Sequence, residues 1–91
     1  MKTVEVTLEK VEFMPSEENR KPNVLYYSER FNGLGHLCLC GCGGWCFVPI
    51  KEGEWSLDEE SITLRPSFGN WAGENPYHAH YVITNGVARF V

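Results

Sequence analysis

Four cysteines crowd between Cys38 and Cys46 in the segment CLCGCGGWC, and this crowding limits what the chain can become. Residues two apart on an extended chain have Cα atoms about 6.6 Å apart and side chains standing parallel on one face, which is poor geometry for a disulfide. Convergence on a metal ion suits the spacing better. Thiolates ligate Zn²⁺ at about 2.3 Å in a tetrahedron, and Gly41, Gly43 and Gly44 let the backbone fold tightly enough to bring near neighbours together. A chain of 91 residues is also near the size at which an apolar core alone leaves little stability margin, so a staple is expected.

A second group of metal-type ligands lies near the C-terminus, in His78-Ala79-His80. On a strand both imidazoles share a face, and two imidazoles with two thiolates complete a four-coordinate Zn²⁺ site. The candidate ligands are therefore Cys38, Cys40, Cys42, His78 and His80, one more than a tetrahedron holds. Cys46, between Trp45 and Phe47, reads as a small buried apolar residue, and His36 as a hydrogen-bonded strand residue. The expected cofactor is a structural Zn²⁺, and no residue is assigned a catalytic role.

The rest of the chain reads as strands and turns. Val4, Val6 and Leu8 alternate and the phase then slips near Glu9 and Lys10, which calls for a β-bulge or a strand that changes sheets. Pro15 to Asn23 is a polar surface loop, VLYYSE a strand, and FNGLG a turn into the strand HLCL. WCFVPI returns from the glycine-rich tip, so the thiols sit at the end of a hairpin. Lys51 to Glu60 is an acidic loop around Trp55, and SITLR is a strand ended by Pro66. Asn85-Gly86 between HYVIT and VARFV is the pair best suited to a two-residue type I′ turn. That turn sets Thr84 opposite Val87, Val82 opposite Arg89 and His80 opposite Val91, with Tyr81, Ile83, Ala88 and Phe90 on the other face. The expected fold is mostly β: residues 1–91 as one small domain, an antiparallel sheet or sandwich-like pair with little or no helix, its zinc site joining two hairpins.

Charge and hydropathy exclude some classes. The formal net charge of −4, with Lys and Arg scattered, argues against non-specific nucleic-acid binding and against an anionic membrane surface. No stretch approaches the roughly 20 apolar residues of a spanning helix, and MKTVEVTLEK alternates where a signal peptide carries a continuous apolar block. The reading is of a cytoplasmic protein, in keeping with reduced, metal-binding cysteines.

The blocks HLCLCGCGGWCFVPI, PSFGNW and HAHYVITNGVARFV resemble the bacterial and phage domain of unknown function numbered 6527. Its members read H-L-C-x-C-G-C-G, then P-S-[IV]-G-N-W, then C-x-x-H-[YF]. His36 to Gly43 keep the first block and Pro66 to Trp71 the second, while Tyr77 stands where members have the third block's cysteine and His80 stays in register. The resemblance implies that His78 replaces the missing thiolate. It also implies a metal-binding protein encoded in phages or near bacterial ubiquitin-like conjugation components, with no established reaction.

Two kinds of function fit these residues. In the first, zinc clamps the hairpins and the protein is an accessory module that binds another protein through an aromatic surface drawn from Trp45, Trp55, Trp71, Tyr77 and Tyr81. In the second, an open zinc position activates water with Glu74 as general base, although thiolate-rich sites are more often structural than catalytic. A zinc-ribbon-like nucleic-acid module with aromatic stacking is a further alternative, which the acidic balance disfavours.

Overall fold

The computed structural model describes residues 2–72 and 75–90, and the side-chain surroundings of residues 2–67 and 80–90. Among the described residues nine strands form two sheets. They are β1 (Thr3–Glu5), β2 (Thr7–Lys10), β3 (Val24–Ser28), β4 (Gly33–Leu37), β5 (Trp45–Pro49), β6 (Ser56–Asp58), β7 (Thr63–Ala72), β8 (Asn75–Thr84) and β9 (Val87–Phe90). One sheet has the order β1-β9-β8-β7-β6, the other β2-β3-β4-β5. The mostly β architecture expected from the alternation is present, and the described residues contain no α-helix, only a 3₁₀ turn at Glu17–Asn19.

The phase slip near the N-terminus is a strand that changes sheets. β1 pairs antiparallel with β9, whereas β2 joins the other sheet beside β3. The crossing occurs at Val6, earlier than the alternation suggested. Val6 is buried, and its N–H donates to Gly86 O at 2.9 Å while Thr7 N–H reaches Asn23 O at 3.1 Å, so adjacent residues bond to different sheets. The β2–β3 pair is parallel, which makes the second sheet mixed. The polar segment 11–23 that links them has the length of about a dozen residues that a parallel crossover needs.

Two glycines that read as a turn lie inside β4. A Cβ on Gly33 would collide with the Phe47 ring, and one on Gly35 with the Trp45 ring. The aromatic rings of β5 thus lie over the glycines of β4, and strand is allowed where composition argued for turn. The turn itself is displaced to Glu29–Asn32, with Asn32 at φ 48°.

β7 is longer than expected, for it continues through Pro66 instead of ending there. The pairing with β8 runs Leu64↔Ile83 and then Phe68↔Tyr81, so β7 carries two more residues than β8 over this interval. Pro66, which has no N–H to give a ladder, sits in that irregularity. The acidic loop before it also holds a short strand, β6, paired with β7 at Leu57↔Leu64.

The C-terminal hairpin has the expected register, Thr84↔Val87, Val82↔Arg89 and Ile83↔Ala88, across Asn85 (φ 50°) and Gly86 (φ 74°). Val91, the expected partner of His80, lies outside the described residues. Tyr81, Ile83 and Ala88 are buried together with Leu64 from β7, and Leu25, Leu34, Cys46 and Val48 meet them from the other sheet. The core is therefore the space between the two sheets, closed at the crossover by Val6.

Candidate functional site

The cysteine hairpin is built as the spacing requires. Cys38 N–H donates to Gly44 O at 2.7 Å and Gly41 N–H to Cys38 O at 3.1 Å, which folds Cys38–Gly44 back on itself. Gly41 at φ 92° and Gly43 at φ 84° take backbone angles that side chains oppose. The result brings the sulfurs of Cys38, Cys40 and Cys42 within 4.8 Å of one another, with Cys38 and Cys40 3.3 Å apart. In a tetrahedral Zn–thiolate site, ligand bonds of about 2.3 Å put sulfurs about 3.8 Å apart. The three thiols therefore lie close enough together to hold a metal ion.

Electrostatics point the same way. Burial, then hydrogen bonding with the Cys38 and Cys42 thiols, pushes Cys40 up to about 11. Burial, and then the neighbouring Cys38 and Cys42, pushes Cys46 up to about 12. Both shifts oppose the thiolate form of Cys40 and Cys46 unless a cation compensates it, and a divalent metal does so. Cys46, read from sequence as a small buried apolar residue, is buried on β5 but lies close enough to the cluster to interact with Cys38. No disulfide joins the four cysteines.

Beside this cluster, His36 Nε2 and Tyr81 Oη are 2.6 Å apart at the sheet interface, both fully buried. Burial lowers His36 to about 4, so it is a neutral imidazole. Burial first, then Cys46 and Cys38, raises Tyr81. Tyr81 thus belongs to the core and not to a binding surface, since the pleat of β8 turns it inward with Ile83.

The same pleat sends His80 outward. Among the described residues the cysteine group has no histidine member, and His80 meets Ser67 instead, with Nε2 and Oγ 2.8 Å apart. The extra residues of β7 between Leu64 and Phe68 bring this about, because an irregularity of that kind re-aims a side chain within a ladder. Both residues are half-buried, which leaves the pair reachable from solvent. The side chains of Trp71, Glu74, Tyr77 and His78 lie outside the described residues.

Of the other aromatic residues, Trp45 is half-buried with the Arg20 guanidinium 4.0 Å from its ring centre. Trp55 is half-buried against the core, with its indole N–H enclosed. Ser67 was missed by the sequence reading, although the PSFGNW block contains it. No glycine-flanked nucleophile motif surrounds it, and the irregularity that aims it leaves no pattern in the residues.

A small two-sheet protein with a serine hydroxyl on a histidine nitrogen has the geometry of an activated oxygen nucleophile beside a base. A family model described as the bacterial ubiquitination-like system serine protease, BubE, matches residues 10–91, and the chain belongs to this family. No curated protein and no solved structure matches the chain. Among the described residues no helix is long and apolar enough to cross a membrane.

Proposed function

We propose that this chain is a serine peptidase of a bacterial ubiquitination-like system, with Ser67 as nucleophile and His80 as general base. The observation that carries the reading is the 2.8 Å contact between Ser67 Oγ and His80 Nε2. The family description supports the chemistry and the setting. As Ser67 Oγ forms a bond to the carbonyl carbon of a peptide, His80 Nε2 takes the hydroxyl proton. The C–N bond then breaks and the same nitrogen returns the proton to the leaving amine. Water attacks the acyl-serine by the reverse use of His80, which frees the carboxylate and restores the hydroxyl. This reading departs from the expectation of a non-enzymatic module, and it makes a protein or peptide the partner.

The cysteine cluster has a separate role in the same proposal. Cys38, Cys40 and Cys42, with Cys46 as the fourth ligand, bind a structural Zn²⁺ in place of the mixed Cys-His set read from sequence. Support comes from the mutual proximity of the Cys38, Cys40 and Cys42 sulfurs, from the interaction of Cys46 with Cys38, and from the outward turn of His80. Zinc there supplies folding energy and no step of the reaction. Reduced thiols fit a cytoplasmic setting. The second motif block and the cysteine block both fall within residues 10–91, so membership of the numbered domain family 6527 is proposed for the same segment.

The test is labelling with a fluorophosphonate, which reacts with activated serines. Modification at Ser67 is expected, with loss of labelling in Ser67→Ala and His80→Ala, and a fall of at least about 10³-fold in peptide cleavage. Cleavage by Ser67→Ala at the native rate overturns the assignment.

A further inference from the structure

A groove of about 580 Å³ lies on the outer sheet face, lined by Arg65, Val82, Thr84, Asn85, Val87 and Arg89. Its position relative to the Ser–His pair follows from the pleat. Val82 is two residues beyond His80 on β8, so along that strand the groove starts about 6.7 Å from His80 on the same face. A bound extended peptide advances by a similar distance over two residues. A substrate attacked at Ser67 therefore lays the residues one or two from its cleaved bond along Val82 and Val87.

The groove has an unusual charge for this acidic chain. Two guanidinium groups border an otherwise apolar and hydroxylic floor. Arg65 is held in place: its Nη1 donates to Leu64 O and Ile83 O, each at 2.9 Å, and its Nη2 to Thr84 Oγ1 at 2.7 Å. Among the described residues neither Arg65 nor Arg89 forms an ion pair, although Lys10, Arg30 and Lys51 all do. Glu5 on β1, opposite Val87, shares the outer face without pairing with either arginine. A fixed guanidinium and a second one across a shallow apolar floor favour an anionic group with a planar fork of oxygens.

We propose that this groove is a substrate subsite for a peptide carboxylate lying one or two residues from the cleaved bond. The inference rests on the peptidase reading for its function, and on the arginines alone for its ligand. A carboxylate of this kind comes from an acidic side chain or from the end of a chain, and both present the same oxygens to Arg65 and Arg89. Val82 and Val87 take the apolar side chains between the carboxylate and the reacting carbonyl.

The test measures binding, not turnover, on the full chain carrying Ser67→Ala. Three fluorescein-labelled hexapeptides of Val, Ala and Gly are compared by anisotropy: one with an internal Glu and an amidated end, one neutral with a free carboxylate end, and one neutral and amidated. At least one of the first two is expected to bind about tenfold or more tighter than the third, as a charge-assisted pair allows, and the tighter one names the source of the carboxylate. Adding Arg89→Glu should erase the preference. Equal or undetectable binding of all three peptides, or a preference that survives Arg89→Glu, overturns the subsite. Fluorophosphonate labelling of the native chain reports separately: a groove that keeps its preference in a chain that does not label leaves the subsite standing and removes the peptidase assignment.

Discussion

Single residues in this protein take their roles from which side of a strand they occupy. Tyr81 and His80 are adjacent, yet one is fully buried against His36 and the other meets Ser67 on the opposite face. The His36–Tyr81 hydrogen bond ties β4 of one sheet to β8 of the other in a buried interface, where a lost polar partner is costly. Tyr81→Phe, which keeps the ring and removes the hydroxyl, is expected to lower unfolding free energy by about 1–3 kcal/mol. Urea denaturation with an unchanged slope measures it, and a midpoint equal to the parent would show the bond to be energetically idle.

At the scale of elements, two departures from regular strand shape the molecule. The first is the close packing of Trp45 and Phe47 over Gly35 and Gly33, where β4 surrenders its own side chains to seat those of β5. Gly35→Ala forces the Trp45 ring to shift, although Arg20 and Tyr26 pack against that ring. A loss of about 1–3 kcal/mol is expected from such overpacking, together with a change in tryptophan fluorescence. Melting at the parent temperature with an unaltered spectrum would contradict this account. The second departure is the two-residue excess of β7 opposite β8, which aims Ser67 at His80. These two elements were also the ones least legible in the residues. Glycine at strand positions resembles turn composition, and Pro66 resembles a strand end, until the neighbouring strand is in view.

For the whole molecule, the question is what holds two thin sheets together. The core between them consists of few large side chains, and the cysteine hairpin lies at its margin with Cys38 and Cys46 contributing to it. A metal bound by Cys38, Cys40, Cys42 and Cys46 ties the turn between β4 and β5 to β5 itself. Removing it with a chelator is expected to lower the melting temperature by several degrees or more and to unfold the chain cooperatively, while Cys40→Ser and Cys42→Ser reproduce the loss. Co²⁺ substitution should show thiolate charge-transfer bands, reduced in Cys46→Ser. Retention of native dispersion in NMR spectra of the chelated protein would refute a structural role for the metal.

The amino-acid sequence determined the features that depend on near neighbours. Cysteines separated by single residues and interleaved with glycine can converge only locally, so the closeness of Cys38, Cys40 and Cys42 was readable, though not which further residues join them. The type I′ turn at Asn85-Gly86 likewise settled the register of β8 on β9, because two residues of backbone determine it. Alternation even separated His80 and Val82 from Tyr81 and Ile83. Reading His80 as a zinc ligand turned its face toward the cysteines, a choice that alternation alone does not make. Only the packing of one sheet on the other decided that, turning Tyr81 inward and His80 out to Ser67. Contacts between residues 13 positions apart across an irregular ladder depend on how the ladder is broken, and no local pattern records that.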